Sequence, residues 1–191
     1  MLKSIKLGLI LFIITSMAGL ILGVAHEATK DAIAKQSEQS QKQENKVEIL
    51  KGVTEYKDSS IEIPADSGIK KVSEGYEKDK LIGYAITLET KGFGGKIEMK
   101  VGISKDGTVQ GIDIVKHQET PGLGANAEKE EFRSQYKDKS TDNTLEVIKG
   151  SASKDNEISA ITGATVTSKA VTDGVNTAAN FYKNNLKGGN K

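Results

Sequence analysis

The chain of 191 residues is long enough for one membrane anchor and one domain of ordinary size, without a second large core. Its 27 basic and 26 acidic residues nearly cancel, and no basic stripe with interleaved aromatic residues is present, which argues against a nucleic-acid partner. With no cysteine and only two histidines, the sequence excludes disulfides, thiolate-held iron–sulfur clusters and cysteine zinc sites and argues against bound haem, so any redox chemistry would need an organic cofactor.

The first predicted element is a transmembrane helix over residues 7–25. This run is apolar and uncharged, and its length is close to the roughly 20 residues that cross a bilayer. A cleaved signal peptide is the alternative, but its apolar region usually spans about 7–15 residues, and here helix-compatible sequence continues to Lys35. Lys3 and Lys6 precede the run, whereas the charges after it are mixed. We therefore expect a single-pass anchor in the cytoplasmic membrane, with residues 1–6 in the cytoplasm and the C-terminal domain outside it.

A polar segment follows the anchor. Residues 36–46 are almost wholly Gln, Ser, Glu, Lys and Asn, which leaves no apolar face to bury. We expect residues 26–46 to form a polar juxtamembrane helix or stalk, and residues 47–191 to form the folded domain.

Three strands are predicted in the first half of this domain. Apolar residues alternate with smaller or polar ones over Ile82–Leu88 and again over Ile97–Ile103, as in half-buried strands. Asp106-Gly107 is a tight-turn signal, and Val109–Val115 after it completes a hairpin with the second strand. The pattern therefore indicates antiparallel pairing.

Helices and one further strand are predicted in the second half. Asn126 can cap a short helix over Ala127–Tyr136, and Leu145–Lys149 has the pattern of a strand. Strands followed by helices, without a βαβ alternation, indicate an α+β fold in which an N-terminal transmembrane helix precedes a mainly antiparallel sheet packed with helices. The last helix is the clearest element, because apolar residues recur along one helical face: Val171, Val175, Ala178, Tyr182 and Leu186.

The beginning of that last helix is rich in hydroxyl groups. The segment Ser159–Lys169 reads Ser-Ala-Ile-Thr-Gly-Ala-Thr-Val-Thr-Ser-Lys, at a point where backbone N–H groups lack helical partners. Such a terminus can hold a phosphate, and a hydroxyl there could be esterified to it. The alternative is an ordinary helix cap in which Thr162 or Thr165 accepts a bond from a backbone N–H group.

The segment Thr162–Ser168 resembles the flavinylation motif, (Ser/Thr)-Gly-Ala-Thr, of the FMN-binding domain family. The resemblance implies that Thr165 carries FMN through a phosphoester bond, attached by a flavin transferase. The family often has an acidic residue six positions before the modified threonine, where this chain has Ser159. The resemblance also makes the neighbours of Thr165 candidate cofactor-binding residues: Thr162, Gly163, Ala164, Val166 and Thr167.

Two further segments support the resemblance. Lys91–Ile97 and Glu119–Ala125 are similar to the paired signatures of the G subunit of Rnf complexes and of its relative, the C subunit of the Na⁺-translocating NADH:quinone oxidoreductase. The second segment reads Glu-Thr-Pro-Gly-Leu-Gly-Ala, a turn whose glycines permit close backbone approach to a ligand. The resemblance implies that Glu119, Thr120 and Leu123 line the isoalloxazine ring. We interpret Gly92–Gly95 as a loop that links two strands.

Two other residues could lie near this site. Lys149, at the end of a predicted strand, could place a cation by the phosphate or the ring, although lysines at strand ends are usually solvated. His117 is the single histidine of the predicted domain, and it is more typical of a structural residue than of a catalyst.

Three functions fit these observations. The first is a membrane-anchored electron-transfer protein with covalent FMN, working with the other subunits of an Rnf-type ion-translocating ferredoxin:NAD⁺ oxidoreductase complex and not catalytic alone. The second is the C subunit of the quinone oxidoreductase. The third is an anchored binding module without a cofactor, in which the threonine-rich segment only caps a helix.

Overall fold

The computed structural model describes residues 2–42 and 49–188, and it divides the chain into two compact units, Met1–Asn45 and Lys46–Lys191. The predicted start of the folded domain at residue 47, the end of the predicted stalk at residues 43–46 and the last three residues lie outside the described residues.

The first unit is a single helix, α1, over Leu2–Lys42. Within it, Ile5–Thr29 has a mean hydropathy of 2.5, and this is the one helix among the described residues that is long and apolar enough to cross a membrane. The predicted span, residues 7–25, falls inside this segment. Residues 36–42 of the polar segment are also helical, as in the first of the two forms predicted for it.

The second unit is built on a six-stranded antiparallel sheet in which the strands follow one another in sequence order. The three predicted strands are confirmed as β3, β4 and β5, and the hairpin at Asp106-Gly107 is confirmed by antiparallel pairing of Ile103 with Val109. The strands are β1 (Glu55–Asp58), β2 (Ile69–Glu77), β3 (Lys80–Lys91), β4 (Lys96–Ser104), β5 (Thr108–Lys116) and β6 (Lys139–Ser140).

A second, two-stranded sheet leads into the threonine-rich segment. The strand predicted over Leu145–Lys149 is present as β7 (Glu146–Ile148), and it pairs in parallel with β8 (Glu157–Ser159). Residues 160–164 then connect β8 directly to the last helix.

The helix predicted over Ala127–Tyr136 with Asn126 as its cap is wrong. The segment forms a 3₁₀ turn at Gly124–Glu128, one α-helical turn, α2, at Glu130–Arg133, and a second 3₁₀ turn at Ser134–Tyr136. Lys129 between them is extended, at φ −71° and ψ 142°, so a continuous helix cannot pass through it. Asn126 lies within the first turn, where its side-chain amide donates to the Gly122 carbonyl at 2.9 Å.

The last helix, α3, runs from Thr165 to Phe181 and continues as a π-helical turn over Tyr182–Leu186. Its predicted apolar face is confirmed, because all five residues of that face are at most 3% exposed. The helix packs on β3 and β4, against side chains such as Leu88 and Met99. Burying each large apolar side chain contributes about 1.5–3 kcal/mol. The α+β fold is therefore the predicted one, and its core fixes where α3 begins.

Candidate functional site

The threonine-rich segment forms the N-terminus of α3. Gly163 has φ +77°, a left-handed conformation that favours glycine, and Ala164 is the N-cap residue. No side chain caps this end within the part of the chain that the structure describes, so the cap alternative for Thr162 or Thr165 is not supported. The first N–H group that bonds back to the cap is that of Ser168, which donates to the Ala164 carbonyl at 3.0 Å. The preceding N–H groups lack helical partners, which suits an anion.

Two of the four hydroxyl groups in Thr162–Ser168 are buried and hydrogen-bonded within the domain. Thr167 is 1% exposed, and its hydroxyl donates to Glu119 Oε2 at 2.6 Å. The Ser168 hydroxyl is fully buried, accepts from Ile161 N–H at 3.0 Å and donates to the Ala164 carbonyl at 3.0 Å. Esterifying either oxygen would break these bonds and force a phosphate into the core.

The other two hydroxyl groups are accessible. Thr165 is half-buried as the first residue of α3, and Thr162 is exposed in the connection that precedes the helix. Val166, next to Thr165, has 53% of its surface exposed. The geometry therefore reduces four candidate attachment points to two, and Thr165 is the one at the helix terminus itself.

Glu119 connects three segments of the domain. It is 6% exposed, and its Oε1 accepts from Gly94 N–H at 2.9 Å while its Oε2 accepts from Thr167. Both oxygens of this carboxylate are thus used inside the chain, which favours a connecting role over the predicted contact with the ring. Glycine at two positions leaves space for the carboxylate, because a Cβ at Gly92 would overlap Glu119 Oε1 and a Cβ at Gly124 would overlap Oε2. A Cβ at Gly94 would overlap the adjacent Gln118 carbonyl.

Leu123 lies against Gly163, in the connection that precedes α3. Its side chain is 45% exposed, and a Cβ added at Gly163 would lie 3.0 Å from Leu123 Cδ2. The loop around it is held by the Thr120 carbonyl, which accepts from Leu123 N–H at 3.1 Å and from Ala125 N–H at 3.2 Å. Thr120 itself is exposed. Leu123, against Gly163, and Val166, next to Thr165, therefore expose apolar surface near the start of α3, where a planar ring could rest.

His117 joins this network from the end of β5. Its Nε2 lies 2.8 Å from Glu128 Oε1, and its Nδ1 accepts from Glu119 N–H at 3.0 Å. The hydrogen bond to Glu128 raises the pKa of the His117 imidazole, although partial burial opposes this shift. Both ring nitrogens are engaged, in agreement with the structural role predicted for this residue.

Lys149 and Ser159 lie at the ends of the two strands, β7 and β8, that precede the connection to α3. Lys149 follows β7 and is exposed, and the Ile148 carbonyl before it accepts from Ala160 N–H at 2.9 Å. Ser159 N–H donates to Gln135 Oε1 at 2.7 Å, which fixes the backbone where the family often has an acidic residue. Neither contact places the Lys149 ammonium at the N-terminus of α3.

The β3–β4 loop, Gly92–Gly95, plays a part in this site that the sequence did not reveal. The sequence predicts only a link between strands, yet the Gly94 N–H of this loop binds Glu119, and its Phe93 side chain is 75% exposed. Glycines in both this loop and the Glu119–Gly124 loop are a signal that two backbones approach closely. Nothing in the spacing of the two loops showed that they meet.

The residues present fit FMN. The N-terminus of α3 offers N–H groups for a phosphate, Thr165 offers an accessible hydroxyl, and Leu123 with Val166 offers apolar surface for a ring.

Comparisons with known proteins agree with this fit. A model of the FMN-binding domain family matches residues 92–180, which include the β3–β4 loop, the Glu119–Gly124 loop and the start of α3. In solved structures, the chain is similar to the C subunit of the Na⁺-translocating NADH-quinone reductase from Parabacteroides distasonis. The TM-score is 0.54 at 22% identity, over 69% of this chain and 77% of that chain, so this likeness shows the fold alone.

Two relatives are both described as G subunits. The chain is 37% identical to the G subunit of the Na⁺-translocating ferredoxin:NAD⁺ oxidoreductase complex of Acetobacterium woodii, over 94% of this chain and 91% of that protein. It is 53% identical over 100 residues to the G subunit of the proton-translocating ferredoxin:NAD⁺ oxidoreductase complex of Clostridium ljungdahlii, covering 52% of this chain and 53% of that protein. The chain therefore belongs to the family of G subunits of Rnf-type ion-translocating oxidoreductase complexes and contains an FMN-binding domain.

Proposed function

We propose that this protein is a membrane-anchored electron-transfer subunit that carries FMN covalently on Thr165 within an Rnf-type ferredoxin:NAD⁺ oxidoreductase complex. The observation that carries the proposal is the accessible Thr165 hydroxyl at an N-terminus of α3 that no side chain caps in the described part of the chain. FMN supplies the redox chemistry when bound, and the protein supplies attachment, orientation and tuning. A covalent bond keeps the flavin on a domain that lies outside the cytoplasm.

The choice of Thr165 follows from both exposure and position. Thr167 and Ser168 are buried and hydrogen-bonded, whereas Thr162 is accessible but precedes Gly163 and the helix. A phosphate on Thr165 Oγ would remain beside the N–H groups of the first turn. A flavin transferase is the partner required for this modification, because the hydroxyl must displace a leaving group from an activated flavin phosphate and lose its proton.

The decisive experiment is denaturing electrophoresis of the full chain, made with and without a flavin transferase and viewed under ultraviolet light. A covalent flavin remains fluorescent on the denatured band, whereas a bound but unattached flavin is lost. A colourless, non-fluorescent chain in the presence of an active transferase would favour a cofactor-free anchored module.

The choice between the two redox complexes depends on partners. A relative described as a G subunit aligns with 94% of this chain, whereas the quinone reductase subunit shares the fold at 22% identity, so we propose the Rnf-type complex. Mild solubilisation and purification through this protein should yield the other membrane and peripheral subunits of that complex. Recovery of quinone reductase subunits instead would reverse the choice.

The anchor predicts a testable orientation. Lys3 lies before the apolar segment Ile5–Thr29, and Lys6 lies at its start. Because positively charged flanks favour the cytoplasmic side, we propose that the domain lies outside the cytoplasmic membrane. Protease added to intact spheroplasts should remove the domain, while a cytoplasmic marker protein stays intact. Digestion only after lysis would place the domain in the cytoplasm.

Leu123 is expected to tune the flavin without attaching it. Leu123→Ala removes apolar surface beside Gly163 and should shift the visible absorbance or the redox potential of the flavin, while covalent incorporation persists. Leu123→Met keeps an apolar side chain of similar volume and should stay close to the parent protein. If folded Leu123→Ala takes up no flavin, the residue belongs to attachment instead.

A further inference from the structure

Glu119 joins two segments of the site that are far apart in sequence. The carboxylate links the β3–β4 loop, through Gly94 N–H, to the first turn of α3, through the Thr167 hydroxyl. These partners lie 25 and 48 residues away from it in sequence. One buried side chain therefore holds together the β3–β4 loop and the first turn of α3.

The junction is also tightly enclosed. The Gly124 backbone lies directly against this bond, because a Cβ at Gly124 would overlap Glu119 Oε2 and lie 2.6 Å from Thr167 Oγ1. His117 fixes the other end of the residue, since its Nδ1 accepts from Glu119 N–H at 3.0 Å. The position of the carboxylate is thus determined from both its backbone and its side chain.

Thr167 follows Thr165 by two residues on α3, so the bond to Glu119 fixes the same helical turn that presents the attachment hydroxyl. The half-buried Thr165 and the exposed Val166 belong to the same turn, and Leu123 lies against Gly163 just before it. Rotation or fraying of this turn would move the attached group away from Leu123.

We propose that Glu119 is a positioning residue for the flavin: it acts through Thr167 and Gly94 to hold the first turn of α3 against the two loops, so that the group on Thr165 rests on Leu123. This inference depends on the proposed attachment of FMN. It assigns Glu119 a role different from direct contact with the ring, and it gives His117 the supporting role of fixing the Glu119 backbone.

Two matched pairs of variants test this inference in the full chain carrying its flavin, in detergent. Glu119→Ala removes both bonds, whereas Glu119→Gln can still accept from Gly94 N–H and donate to the Thr167 oxygen. Thr167→Val removes the link to α3 at nearly constant volume, whereas Thr167→Ser keeps a hydroxyl donor. The readout is acrylamide quenching of flavin fluorescence, which reports how exposed and mobile the ring is.

Quenching should rise toward that of free FMN in Glu119→Ala and Thr167→Val and stay close to the parent in Glu119→Gln and Thr167→Ser. Parental quenching in folded Thr167→Val would overturn the inference, as would a rise in Glu119→Gln equal to that in Glu119→Ala, which would indicate charge instead of geometry. If Glu119→Ala does not fold, the Thr167 pair decides.

A second measurement separates this inference from the proposed attachment. In a flavin-free Thr165→Ala background, the Gly94 amide should exchange with deuterium faster when Glu119 is replaced by Ala, and at the background rate when it is replaced by Gln. Unchanged exchange in the Ala variant would contradict the junction. Absence of flavin from the parent chain, with exchange still dependent on Glu119, would overturn the attachment and the positioning role together while leaving the bond itself established.

Discussion

Thr165→Ala is expected to give a folded chain that carries no covalent flavin, even when an active flavin transferase is present. Thr165 is the first residue of α3 and not its N-cap, and Ala is a better helix former than Thr, so the substitution should cost less than the about 1 kcal/mol typical of losing a cap. Circular dichroism should report parental folding, and the denatured band should show no fluorescence under ultraviolet light.

The other hydroxyl groups provide the controls. Thr162→Ala should keep its flavin, because the accessible Thr165 remains in place, and peptide mass spectrometry should find the FMN adduct on the peptide containing Thr165. Thr167→Ala should also remain flavinylated if it folds, since its hydroxyl bonds Glu119. A fluorescent Thr165→Ala band, or an adduct on Thr162, would contradict the assignment.

The long central strands were predictable from local sequence signals. Larger apolar residues alternate with smaller or polar ones over seven residues in β3 and in β4, and Asp106-Gly107 supplies the turn that joins β4 to β5. The apolar face of α3 was predictable for the same reason, since it extends over four helical turns. In each case the local signal was strong enough that single residues departing from it did not obscure the element.

Strands with interrupted patterns were not predicted. The pairing of β2 with β3 is irregular between Ile69 and Lys71 and again between Gly75 and Tyr76, which breaks the period of two. β1 is exposed along its whole length, so it has no apolar alternation to detect. The mistaken helix over Ala127–Tyr136 had good helix formers and acidic residues in its first turns, but an extended Lys129 interrupts it.

The site was predictable in its parts and not in its assembly. The motif at Thr162–Thr165 and the Glu119–Gly124 loop could both be identified from the sequence as candidate ligand-binding segments. The bond between Glu119 and Thr167 spans 48 residues, and no local pattern contains information about such a contact. The ring-lining role expected for Glu119 came from the family resemblance, and no local pattern indicates that its carboxylate is buried and bonded to Thr167.

Gly94→Ala is expected to destabilise the domain strongly by separating the β3–β4 loop from the Glu119–Gly124 loop. The added Cβ would overlap the Gln118 carbonyl oxygen and lie 2.8 Å from the Gln118 carbonyl carbon, and backbone atoms cannot rotate away as a side chain can. Overpacking and the loss of the Gly94 N–H bond to a buried carboxylate together should lower the free energy of unfolding by about 2–5 kcal/mol.

Phe93→Ala is the matched control for Gly94→Ala, because it changes the neighbouring residue of the same loop at a side chain that is 75% exposed. Its effect on the free energy of unfolding should stay within about 0.5 kcal/mol. Thermal or urea unfolding of the flavin-free chain, followed by circular dichroism, measures both variants. Equal stability of the two would mean that Gly94 does not lie as close to the Gln118 carbonyl as the structure places it. The proposed link between Glu119 and the β3–β4 loop would then be contradicted.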